Sequence, residues 1–204
     1  MGVAVFLQEY GVLRWVAVAA FGVAAMIVLA RLAAVRASVE VVGGGTRATD
    51  RESDAAHLMM CLVMVAMLVF PATADPHAVR GVLTAMTVVY GTLLLGRIVQ
   101  WRNAVRMPGA GVAAFGYHVL AAAAMWYAMS GHGAHGHSGG PAPGVMLALA
   151  GVFAVDAVVM AVPGARRALR HLFPHPVGAG PLAVVPHVVM DLGTALMLVA
   201  VVIG

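Results

Sequence analysis

Six apolar stretches, at roughly 11–34, 55–74, 78–101, 112–131, 145–163 and 182–204, dominate this chain. A bilayer's hydrocarbon core is about 30 Å thick, and a helix rises about 1.5 Å per residue, so each stretch is long enough to cross. The alternating pattern of a membrane β-barrel is absent. Backbone amides inside lipid must be satisfied within their own segment, so the stretches must be helices. Hydrophobic residues make up 62% of the 204 and charged residues 10%, which would leave a water-soluble surface prone to aggregation. The expectation is an all-α integral membrane bundle of about six transmembrane helices. Residues 1–204 would form a single transmembrane domain, with 35–54 as a cytoplasmic linker and 131–144 as an outer His/Gly-rich loop.

All 12 basic residues are arginine. Arg31, Arg36, Arg47 and Arg51 lie at or in the first loop. Arg97, Arg102 and Arg106 belong to the third, and Arg166, Arg167 and Arg170 to the fifth. Only Arg14 and Arg80 fall on the other side. The positive-inside rule then puts loops one, three and five in the cytoplasm and both termini outside. The net charge of +4 reports topology, so no nucleic-acid partner is implied; the partner is the lipid bilayer. The start of the chain lacks a basic region and carries Glu9, so no cleavable signal is expected. The location implied is the bacterial plasma membrane, with multiple passes.

Three of the stretches carry chemistry. The second has His57 followed by Met60, Cys61, Met64 and Met67. The fourth has His118 followed by Met125 and Met129. The sixth has His187 followed by Met190, Asp191 and Met197. At about 100° per residue, Met60 and Met64 fall within about 60° of His57, and Met125 and Met129 within about 20° of His118. Met190 and Asp191 flank His187 within about 60°, with Met197 at the edge of that stripe. The topology makes all three helices parallel, with the imidazoles at comparable depth. Imidazole with thioether suits soft ions, Cu(I) above all. The candidate metal ligands are therefore His57, Met60, Cys61, Met64, His118, Met125, Met129, His187, Met190, Asp191 and Met197. The plainer reading of each stripe is core packing by methionine and helix-to-helix hydrogen bonding by histidine.

Two acids lie inside apolar stretches, Asp156 in the fifth and Asp191 in the sixth. A carboxylate in hydrocarbon is costly, so each should face the other acid, a histidine, an arginine or water. Asp191 could orient a ligand histidine. The loop over 131–141 holds His132, His135 and His137 among glycines, and with His77 it makes a candidate outer tract for metal capture.

Other chemistry finds no anchor. There is no HExxH, no GxSxG, no CxxCH, and only Glu9, Glu40 and Glu52 as glutamates, so no catalytic residue is assigned. Cys61 is the single cysteine, which excludes an intrachain disulfide. Non-covalent b-haem stays open as an alternative cofactor, with His57 and His118 as its axial pair. A scaffold or assembly factor is the other alternative. The metal reading implies a metal-handling or respiratory-complex protein as partner.

The blocks Ala56-His57-Leu58-Met59-Met60 with Met64, Met67 and Pro71, Tyr117-His118 with Ala124-Met125-Trp126 and Met129, and His187-Val188-Val189-Met190 with Gly193 and Met197 carry a family resemblance. Together they resemble an actinobacterial domain-of-unknown-function family of small polytopic membrane proteins. The resemblance covers most of the chain from the second stretch onward and implies a six-helix membrane protein with no assigned activity. Ala121 and Ala122 stand where the family carries methionine, which thins the second stripe.

Overall fold

The structure is a computed structural model, and it describes residues 11–39, 46–69, 76–103, 110–131, 141–168, 182 and 184–203. Among the described residues the regular structure is all helical. The elements are α1 (Gly11–Val39), α2 (Thr46–Val69), α3 (Pro76–Asn103), α4 (Ala110–Ala128) with a 3-10 turn at Met129–Gly131, α5 (Pro143–Ala161), the short α6 (Pro163–Ala168) and α7 (Val185–Ile203). Four segments, Gly11–Ala34, His77–Arg102, Pro143–Ala161 and Val185–Ile203, are long and apolar enough to cross a membrane. The apolar part of α2, Asp54–Val69, is shorter. This is the make-up of a helical membrane protein.

Two helices reach into the segment read from the sequence as a linker over 35–54. α1 continues to Val39, and α2 begins at Thr46, well before its apolar stretch. Between Thr46 and Asp54 there is no glycine or proline, and opposite charges recur three apart, Arg47 with Asp50 and Arg51 with Asp54. Such spacing supports a helix in water. Arg31 and Asp54 then join α1 to α2, with guanidinium and carboxylate 3.1 Å apart.

Prolines set other boundaries. Pro143 stands at the start of α5, where its missing N–H costs nothing. Val162 is extended, as a residue before proline tends to be, and separates α5 from Pro163.

Each of the six long helices has one close partner: α1 with α2, α3 with α4, and α5 with α7. α7 is the hub, packing on α5 and touching α1, α2 and α4. Gly193 makes the α1 approach feasible, because a β-carbon there would strike the Phe21 ring. Arg14 donates to the carbonyls of Leu68 at 2.7 Å and Val69 at 3.0 Å, and so closes the last turn of α2. Arg80 does the same beyond α4, donating to Met129 O at 2.9 Å and Ser130 O at 3.0 Å. Terminal carbonyls lack helical partners, and an arginine fork replaces them. Apolar side chains such as Val16, Met26, Val88, Leu95, Leu147 and Val158 point outward, as lipid would favour.

Candidate metal centre

Two adjacent helices present acids and an imidazole to one another. α7 opens with Pro186-His187, and one turn later with Asp191, both on the face buried against α5. From α5, Asp156 lies among Phe153, Ala157 and Met160 on its own buried face. Both carboxyls are wholly buried and His187 nearly so. Their donor atoms converge: His187 Nε2 is 3.0 Å from Asp156 Oδ2 and 3.4 Å from Asp191 Oδ2. All three donors lie within 4.8 Å of one another.

One imidazole N–H satisfies one carboxylate oxygen well. Asp156 Oδ2 takes that hydrogen bond at 3.0 Å. Asp191 Oδ2 is buried with no hydrogen-bond partner among the described residues. Thr194 Oγ1, one turn further along α7, shares that condition. Buried acceptors of this kind call for a proton, a water or a cation.

Other polar groups surround this trio. His187 Nδ1 is 3.1 Å from Nε2 of His57 on α2, so both ring nitrogens of His187 are engaged. The Tyr117 hydroxyl, on α4, donates to Asp191 Oδ1 at 2.7 Å. The Tyr117 ring lies 5.4 Å from those of His187 and Phe153. His118 meets His57 edge to face, with centroids 4.6 Å apart, and its ring lies 5.7 Å from that of Tyr90. Tyr90 donates to Ala56 O at 3.2 Å and so links α3 to α2.

The structure thus brings His57, His118 and His187 together, with the His57 and His187 centroids 5.4 Å apart. Met60, Cys61, Met64, Met125, Met190 and Met197 are buried in the same core, while Met129 is only half-buried. His77 is exposed at the start of α3. His132, His135 and His137 lie outside the described residues. Tyr117 and Tyr90 are the neighbours that helical-wheel reasoning passes over. Tyr117 stands next to His118, about 100° away around the helix, and therefore off the histidine stripe.

Residues 49–201 match the family model described as a domain of unknown function, DUF5134. The chain belongs to that family. The match takes in every residue of the trio and its neighbours on α2, α3 and α4, so the cluster is internal to the DUF5134 region. No curated protein and no solved structure matches the chain.

Proposed function

We propose that this DUF5134 protein is a six-helix, multi-pass protein of the bacterial plasma membrane that binds a divalent transition-metal ion at Asp156, His187 and Asp191. The arginine bias supports loops one, three and five in the cytoplasm with both termini outside. The observation that carries the metal reading is the approach of two carboxylate oxygens to one imidazole nitrogen, at 3.0 and 3.4 Å. Two donors bound about 2.1 Å from one ion, at about 90–110° to each other, stand about 3.0–3.4 Å apart.

Charge points the same way. When both carboxyls are ionised and the imidazole is neutral the three donors carry −2, and a divalent ion would make the cluster neutral inside hydrocarbon. Oxygen donors with one imidazole suit Zn(II), Fe(II) or Mn(II) better than Cu(I). Three protein donors leave coordination positions open for water or another ligand.

A second reading, binding of Cu(I), draws on the thioethers. Met60, Met64 and Met190 are wholly buried and Met125 almost so, in the core that holds the imidazoles. The b-haem alternative lacks comparable support, because His57 and His118 pack directly on each other with no gap for a macrocycle.

The test is purification in detergent, stripping with a chelator, and separate reloading with Zn(II), Mn(II), Fe(II) and Cu(I) before elemental analysis. About one divalent ion per chain is expected, lost in Asp156→Asn, Asp191→Asn and His187→Ala. Retention of Cu(I) alone, sensitive to Met60→Leu and Met64→Leu but not to Asp156→Asn, would transfer the assignment to the thioethers. No retained ion of either kind overturns both and leaves a scaffold.

A further inference from the structure

We infer that His57 and Tyr117 are positioning residues for the ion, each gripping the non-binding atom of a ligand. This rests on the metal reading above. A histidine ligand has two possible tautomers and a freely turning ring, and a carboxylate has two equivalent oxygens. A site built only from the three donors would therefore have several geometries. In this structure each of two ligands is held from behind, by a different helix.

His187 shows its Nε2 to the acids. Its opposite nitrogen, Nδ1, meets His57 Nε2 at 3.1 Å. With an ion on Nε2 of His187, the ring proton resides on Nδ1 and is donated to His57 Nε2. The hydrogen bond from α2 thus selects the tautomer whose lone pair faces the ion. Asp191 shows Oδ2 to the same nitrogen, while Oδ1 accepts the Tyr117 hydroxyl at 2.7 Å. That bond from α4 fixes which oxygen is presented. Ring contacts add rotational restraint, since the His187 ring lies 5.4 Å from those of His57 and Tyr117, tilted against each.

The division of labour follows the packing. All three donors come from α5 and α7, the closest pair in the bundle. Both holding groups come from helices that touch α7 less extensively, α2 and α4. Partners of this kind typically change metal affinity by about 10–100-fold when removed.

The experiment compares wild type with His57→Leu, His57→Gln and Tyr117→Phe, purified in the same detergent and checked for helicity and monodispersity. Zn(II) affinity is measured by competition with a chelating dye, and Co(II) serves as a visible-absorption probe of ligand geometry. His57→Leu and Tyr117→Phe should each weaken Zn(II) by about 10–100-fold. Both should also alter the Co(II) bands. His57→Gln, whose amide oxygen can accept from Nδ1–H, should recover most of the affinity; it also carries the test if the leucine variant fails to fold. Wild-type affinity and spectrum in all three variants would overturn this inference while leaving the metal reading intact. Absence of ion binding in wild type would overturn the metal reading itself. Weak binding in His57→Leu with no recovery in His57→Gln would show a packing role and overturn the tautomer assignment.

Discussion

Asp156 on α5 and Asp191 on α7 turn the same oxygen, Oδ2, toward the same nitrogen, Nε2 of His187, at 3.0 and 3.4 Å. Two carboxyls this close around one imidazole cannot both stay ionised when nothing divalent lies between them. In chelator, Asp191→Asn should therefore melt higher than wild type, since the amide keeps an acceptor for Tyr117 and needs neither proton nor ion to be buried. With Zn(II) at about 100 times its dissociation constant, wild type should gain about 2.7 kcal/mol and overtake the variant. Thermal melts in detergent, with chelator and with Zn(II), read the crossing. The same order in both conditions would count against the ion.

Gly193 and Phe21 set the distance between α7 and α1. Gly193→Ala should destabilise the protein, by about 1–3 kcal/mol as overpacking usually does. Phe21→Ala, itself destabilising, should cost less in the Gly193→Ala background than in wild type. A double-mutant cycle of denaturation measures the coupling. Additive costs would mean that the two helices do not meet there.

Arg14 closes the carbonyl end of α2 through Leu68 and Val69. Arg14→Leu should leave those acceptors open and fray the last turn, at a cost of about 1–3 kcal/mol for the unmet carbonyls. Amide exchange should quicken over the final turn of α2 and stay unchanged in α5. Unchanged protection at 66–69 would argue against the cap.

Arg31 and Asp54 pair at 3.1 Å between α1 and α2, with the arginine side chain 30% exposed. Screening limits such a bond to about 0.2–1 kcal/mol, so Arg31→Ala and Asp54→Ala should be mild and non-additive. The coupling should shrink as salt is raised from 0.05 to about 0.5 M, because the Debye length shortens. Unfolding at the two salt concentrations checks it.

The helices were legible in composition because lipid leaves a spanning backbone no other way to bond itself. Their apolar limits were legible too, and the helical ends beyond them were not, since Thr46–Asp54 is helical without the hydrophobicity that marks a span. The costly acids, Asp156 and Asp191, stood out by themselves in the sequence. That they share one imidazole did not, because an angle around one helix says nothing about which neighbour it faces. Only the pairing of α5 with α7 supplies that. Tyr117 was hidden for a related reason: it lies off the stripe of His118, toward the α7 side, where Asp191 waits.

α7 supplies two of the three donor side chains, and α5, which supplies the third, precedes it in the chain. During synthesis the earlier helices leave the ribosome first, and Asp156 enters the bilayer with only its own helix and those before it. The cluster exists only after α7 has been made and has docked on α5. On the proposed reading an ion could load only after that docking, and a chain truncated before residue 187 would keep α1 to α5 yet lack two of the three donors.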